Sequence, residues 1–310
     1  LDTGLNFEIE SWRGNDFFPI YGENAGSRGV ILGPGPQGLM DEPVETIWNA
    51  TAYQIGSTPG GYRVEKRDIT LPLEFVRTDD ETFQRNDSEF RKAFRPDKDS
   101  KLWCRTDEWG SRWLDLRLTS EPEYVLDLDP FKRQYVHADY FLTAGFPRWR
   151  QPDVTAKWIN PTDTTNGTWS YGTVTVSNPT DTEMWLVWVV QAYPGAVYEL
   201  PDFSFGDDRY ERPDADAQRK IKLPALIAGE HLRVNTDEQQ DQVVSNIDTQ
   251  VYQRMKGVRF LYPIPPYLGT RNHPTVKKPV VLPVGVKGAP AGVGVQVRCP
   301  LNWSRPWGLD

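Results

Sequence analysis

Residues 174–194 read VTVSNPTDTEMWLVWVVQAYP. Val174 and Val176 alternate with Thr173, Thr175 and Ser177, the period of a strand with one face in water. The step Asn178-Pro179, followed by Thr180, Asp181 and Thr182, then bends the chain, because proline fixes φ and short polar side chains bond nearby backbone groups. Met184 to Val190 follows as an unbroken apolar run, the pattern of a strand buried on both faces. The stretch predicts a hairpin with one half-exposed and one buried strand, set inside a sandwich or against a neighbouring subunit. It contains no catalytic side chain. The same five residues, NPTDT, occur at 160–164; with unlike flanks they predict reuse of a convenient bend rather than a duplicated unit.

Outward from this stretch, short apolar runs and turn clusters recur. GPGPQG at 33–38 and STPGG at 57–61 punctuate the first sixty residues. Tyr62 to Phe75 alternates, with Pro72 marking an edge or a bulge. Thr78-Asp79-Asp80-Glu81 has the form of a capping box, and Phe83, Phe90 and Phe94 then share one face until Pro96, which predicts a helix near 79–94. Runs at 101–105 and 112–118 flank a tip of Asp107, Glu108, Trp109 and Gly110 as a hairpin. A strand over 135–142 precedes Pro147 and Pro152, and the domain boundary is placed near 150. Beyond it, the second half opens with 154–158 and the two NPTDT turns, then 220–226 with 231–237 reads as a hairpin, 243–255 as holding a short helix, 258–262 as a strand, and 280–286 with 293–297 as a Gly/Val-rich pair. The predicted class is all-β with one notable helix, in two domains, 1–150 and 151–310.

Bulk properties narrow the function classes. A chain of 310 residues exceeds the usual single core and suits two domains. Apolar residues make up only 38% while aromatics reach 12%, so burial rests on a few large side chains, a composition that favours strands and interfaces. The net charge of −8 argues against a surface built to neutralise nucleic-acid phosphates. Cys104 and Cys299 lie far apart in strand-like contexts and read as buried thiols rather than a disulfide framework. The apolar run at 184–190 is far short of the ~20 residues that a membrane helix needs, and no basic-then-apolar leader is visible. The expectation is a soluble protein made inside the cell, with no membrane span.

Material for catalysis is sparse. His137, His231 and His273 have no second ligand or partner at a useful spacing. Asp107 with Glu108, and Asp207 with Asp208, are adjacent residues whose side chains diverge on a strand, and Asp207, Asp208, Asp214 and Asp216 do not follow the ligand order of a calcium loop. Gly285, Gly288, Gly292 and Gly294 lack the Gly-Lys-Ser/Thr and helix start of a phosphate cradle and read as a hairpin loop. No enzymatic activity, cofactor or metal is expected. Among the tryptophans, Trp185 and Trp188 belong to the apolar run and to a core. Trp109, Trp149, Trp303 and Trp307 sit among polar, Pro or Gly neighbours and are the candidates for an interface or for stacking on a sugar.

Several of these segments together resemble the distal tail protein of long-tailed phages, especially the minor tail proteins of actinobacterial siphophages. They are YRVEKRDITLPLEF at 62–75, the helix to Phe94, the hairpin from Leu102 to Leu118, and Phe146-Pro147-Arg148-Trp149 at the boundary. In the second half they are 176–190, LPALIAGEHLRVNTD at 223–237 and RMKGVRFLYPIPP at 254–266. The resemblance implies an N-terminal tube-like β-barrel or sandwich that forms a ring, and a C-terminal β-sandwich, galectin-like, projecting outward. It further implies a homohexamer at the virion tail tip, assembled in the host cytoplasm. Its partners would be the tail tube protein, the tape measure protein, and the tail hub with receptor-binding or fibre proteins; DNA would pass through the lumen without specific binding. A carbohydrate-binding module used in host adsorption is the alternative.

Overall fold

The computed structural model describes residues 4–126 and 129–309. Two compact units divide the chain, one running up to Gln151 and taking in Trp303–Leu309, the other Pro152–Asn302. The tail from Trp303 therefore packs with the first unit, whereas a second domain over 151–310 would have included it.

The first unit holds β1 (Asn6–Glu10), β2 (Phe17–Tyr21), β3 (Val30–Leu32), β4 (Val44–Asn49), β5 (Thr58–Val64), β6 (Arg67–Val76), α1 (Phe83–Arg91), β7 (Ser100–Thr106), β8 (Gly110–Leu118), β9 (Glu123–Val125), α2 (Pro130–Arg133), β10 (Tyr135–Ala144) and the start of β11 (Trp149–Ile159). Its main path runs β2-β1-β7-β8-β10-β6-β3, with β9 beside β10. The path ends on β2 and β3 without closing, so the barrel alternative for this domain is set aside. β10 and β6 pair along their whole length, from Tyr135↔Val76 to Ala144↔Arg67, and alternate residues on both are buried. Pro72 falls where β3 stops: Leu32 pairs with Leu73, and Gly33 N–H then donates to the Pro72 carbonyl (2.7 Å). A residue without an N–H is tolerated there because that side lacks a regular ladder.

The helix is shorter than 79–94. Thr78 accepts the Glu81 N–H on its hydroxyl (3.1 Å) and donates its own N–H to the Glu81 carbonyl, closing a separate turn before α1, whose N-cap Thr82 makes no side-chain bond. The apolar face is as expected. Phe90 meets Phe18, Phe75, Phe94 and Tyr140 with ring centroids 5.2–5.6 Å apart, largely edge-to-face as aromatic quadrupoles prefer. Asn86 fastens the helix to the sheet by donating to the Val76 carbonyl (2.8 Å).

The second unit holds the remainder of β11 with β12 (Trp169–Val176), β13 (Val187–Val190), β14 (Val197–Pro201), β15 (Lys220–Lys222), β16 (Leu232–Asn235), β17 (Val243–Ser245), α3 (Val251–Arg254), β18 (Val280–Lys287) and β19 (Gly294–Trp303). One sheet runs β12-β18-β14-β15; the other orders β17-β16-β13-β19-β11. Val174, Val176, Tyr198, Leu200, Leu282 and Val284 from the first share a core with Trp188, Val190, Leu232, Val234, Val295 and Val297 from the second.

This arrangement overturns the hairpin expected at 174–190. β12 pairs with β18, and β13 with β16 and β19, so the NPTDT bend carries the chain from one sheet to the other. Asn178, wholly buried, makes the crossing: its Oδ1 accepts from the N–H and hydroxyl of Thr180, and its Nδ2 donates to the carbonyls of Thr182, Ile264 and Pro265. The apolar run after it buries Met184, Leu186, Trp188 and Val190 on one face and Val187 on the other, where Val189 is 40% exposed, so one face is core and the other only partly covered. The same separation applies to the other two expected pairs. β15 and β16 lie in different sheets, as do β18 and β19. The 258–262 segment forms no strand because side chains take its backbone groups: Gln242 brackets Phe260 through both N–H and carbonyl, and Asp202 accepts from Leu261 and Tyr262 N–H.

Candidate assembly surfaces

The four candidate tryptophans separate by burial. Trp149 is wholly buried and donates Nε1–H to the Leu39 carbonyl (3.1 Å). Trp303 is 2% exposed, donates to Gln151 Oε1 (3.0 Å) and carries the Arg112 guanidinium 3.7 Å over its ring. Neither offers a ring face to a ligand, so both leave the sugar-stacking set and act as core of the first unit. Trp109 is half-buried at the β7–β8 tip, its N–H donated to Thr106 Oγ1. Trp307 is half-buried in the C-terminal tail, 6.3 Å from Phe7, which also meets Trp149 at 6.5 Å.

Trp307 forms one wall of an apolar groove of about 560 Å³ with Phe7, Tyr21, Pro36, Leu39 and Met40. Gly33, Pro34 and Gly38 of the GPGPQG segment line it as well. Gly38 is required there: its φ is +77°, and a Cβ would lie 2.0 Å from the Asp68 carbonyl oxygen. Arg67 holds this segment and the tail together. It is buried, and its guanidinium donates to the carbonyls of Gly38, Met40, Pro147 and Ser304 at 2.6–2.9 Å. The fork of guanidinium donors suits that role, since four carbonyls substitute for water. Burial brings the Arg67 pKa down to about 10, which still leaves it charged at neutral pH. Arg305 pairs with Asp41 at the rim, and Arg112 donates to the carbonyls of Arg305 and Gly308.

Beside the groove, β4 and β5 leave the sheet as a separate two-stranded arm, paired from Val44↔Val64 to Asn49↔Thr58 with a bulge at Ile47/Trp48. None of its residues is buried. Tyr53 and Ile55 at the tip are fully in solvent, and Trp48 and Tyr62 are 60% and 61% exposed. The tip is ordered by Gln54, which accepts from Thr51 N–H and donates to Thr58 Oγ1. In sequence STPGG reads as punctuation and 62–75 as one strand. The arm was missed because exposure of apolar residues leaves no mark on local pattern.

In the second unit, the outer face of the β12-β18-β14-β15 sheet carries Trp169 and Tyr171 as a stacked pair (5.6 Å, 14°), with the ammonium groups of Lys220, Lys222 and Lys287 5.4–5.6 Å from their ring centroids. Glu199 lies among them, 3.3 Å from Lys220 Nζ. Of the residues weighed for catalysis, the three histidines and Asp207 are engaged elsewhere. His231 Nδ1 accepts from Ala192 N–H and His273 Nδ1 from the N–H groups of Thr275 and Val276, His137 pairs with Asp139, and Asp207 is bound by Arg209. Among the described residues no three His, Cys, Asp or Glu side chains are grouped to hold a metal, and no helix is long and apolar enough to cross a membrane.

A helix-bearing open sheet followed by a two-sheet core is an arrangement this chain shares with a phage tail protein of known structure. The crystal structure of the SPP1 Dit protein, described as a hub of the adsorption apparatus in phages infecting Gram-positive bacteria, matches 96% of this chain and 98% of its own with a TM-score of 0.57 at 10% identity. In sequence the chain is homologous end to end to the proteins named minor tail protein Gp27 of Mycobacterium phages D29 and L5, 26% identical to each across 99% of both chains. No family model matches.

Proposed function

We propose that this chain is a structural protein of the phage tail tip, a distal tail hub that assembles with copies of itself into a ring, a homohexamer as in the family it resembles. The ring would join the tail tube and tape measure proteins to the receptor-binding apparatus. The observation that carries self-assembly is the β4–β5 arm: a lone two-stranded ribbon is marginal in water, and one bearing Trp48, Tyr53, Ile55 and Tyr62 in solvent needs a covering surface. The net charge of −8 suits a lumen that DNA must traverse without being held by phosphate contacts. His231 and His273 each spend Nδ1 on backbone N–H groups and His137 faces Asp139, which supports a protein without enzymatic activity. Light scattering of the full chain is expected to give a mass near six times the 35.5 kDa protomer, and labelled antibody should mark the tail tip of virions; monomers at high concentration with unlabelled tails would defeat the reading.

A second reading, glycan binding during host adsorption, is favoured by the Trp169–Tyr171 pair and its three lysines, the arrangement that stacks on a sugar ring and attracts acidic substituents. It moves the sugar site from the four tryptophans proposed on sequence grounds to the outer sheet face of the second unit. A glycan array should show acidic oligosaccharides retained by the wild type and lost by Tyr171→Ala; identical profiles would remove this reading.

A further inference from the structure

We infer that the β4–β5 arm of one copy docks in the Trp307 groove of the next, so that the C-terminal tail completes the intersubunit contact. The inference rests on the ring-forming reading and names the surfaces it uses. Val44, Ile47, Trp48, Tyr53, Ile55 and Tyr62 are all 45–104% exposed. Together they present on the order of 800 Å² of side-chain surface, taking about 150–250 Å² for each fully exposed aromatic ring, and a standard interface buries about that much per partner. The arm is thus large enough to hold two copies together once covered.

A second copy is the occupant because every copy carries both halves of the contact. The groove of about 560 Å³ is walled by Phe7, Tyr21, Pro36, Leu39, Met40 and Trp307, a mostly apolar lining that matches the arm's apolar tip. The arm does not lie in the groove of its own chain, since its large side chains are in solvent there. Arm and groove are different surfaces, so a contact in which each copy gives its arm to the next and takes another's in its groove propagates head to tail and makes a ring where the rotation between copies closes, whereas pairing of arm with arm would stop at a dimer. The tail residue Trp307 is held in place by neighbours anchored on buried groups, Ser304 on Arg67 and Arg305 on Arg112, which makes the groove a rigid receptor rather than a loose flap.

The test uses full-length variants. Tyr53→Asp with Ile55→Asp keeps the groove and spoils the arm; Trp307→Ala keeps the arm and spoils the groove, and Met40→Glu, at a position 38% exposed, does the same without touching the tail. Each variant alone is expected to be monomeric by light scattering, with self-association weakened at least about 30-fold, the loss that removal of an interface hot spot causes. An equimolar mixture of an arm variant with a groove variant retains one intact arm and one intact groove, and is expected to give a one-to-one dimer. Rings formed by either variant alone, dimers formed by a groove variant alone, or a mixture that stays monomeric would overturn the inference while leaving a ring-forming wild type untouched. A wild type that is itself monomeric would overturn both this inference and the ring-forming reading.

Discussion

The first unit carries two antiparallel hairpins of similar length in opposite surroundings. β7–β8 pairs from Ser100↔Leu116 to Thr106↔Gly110 and lies in the sheet, with Leu102, Cys104, Leu114 and Leu116 wholly buried and Trp103 against Trp113 at 5.0 Å. β4–β5 pairs from Val44↔Val64 to Asn49↔Thr58 and buries nothing. Both are antiparallel ladders, β4–β5 with one bulge at Ile47/Trp48 and β7–β8 with none, and pairing of this kind does not account for their different surroundings. The difference lies in where the apolar side chains go: the first hairpin is stabilised by its own unit, and the second presents the same residue types to water. One is part of the fold, and the other is half of a contact.

That contrast predicts unequal responses to substitution. The largest expected effect is Leu114→Ala, which opens a cavity in the β7–β8 face and should cost about 2–5 kcal/mol. The two thiols read it out, because Cys104 lies in the first unit and Cys299 in the second, and burial pushes each up to about 12, so neither reacts while its unit is folded. In the variant, Cys104 should react with a thiol reagent at lower urea than in the wild type while Cys299 keeps its midpoint. Equal shifts would mean that the two units unfold together. Asn178→Ala reverses the order: it strands the Thr182, Ile264 and Pro265 carbonyls and should cost about 1–3 kcal/mol, bringing Cys299 forward. Asn160→Ala should cost less, because among the described residues Asn160 Nδ2 donates to two carbonyls, those of Thr162 and Pro290, where Asn178 Nδ2 serves three.

Those two asparagines also mark how far the sequence carries. The NPTDT bends were legible as bends, and each works as one: Thr162 and Thr180 donate to the Oδ1 atoms of Asn160 and Asn178 at 3.2 and 3.0 Å. What each bend joins was not legible. A bend between two strands of one sheet and a crossing between two sheets use the same local residues, and only long-range pairing separates them. The β7–β8 hairpin was readable because its partners are adjacent in sequence and its tip has a Gly at φ +71°. The strand expected at 258–262 failed because Gln242 and Asp202 supply by side chain the bonds that a neighbouring strand would. Of the candidate site, Trp307 was legible as an exposed-context tryptophan, and Trp149 and Trp303 had the same local signal. Polar and Pro-rich neighbours do not report burial when a distant segment, here the returning tail, covers the ring.

The smallest expected effect lies at the arm tip and tests the contrast from its other side. Tyr53 and Ile55 touch nothing that folding buries, so Tyr53→Asp with Ile55→Asp, measured at dilution where the wild type is also monomeric, should leave both thiol midpoints within about 0.5 kcal/mol of wild type. Only at concentrations that drive assembly should the wild type become more stable than the variant, since association adds stability by mass action to whichever chain retains the contact. A loss of 2 kcal/mol or more in the dilute monomer would mean that the arm is held by its own chain. It would then belong with β7–β8, as part of the fold.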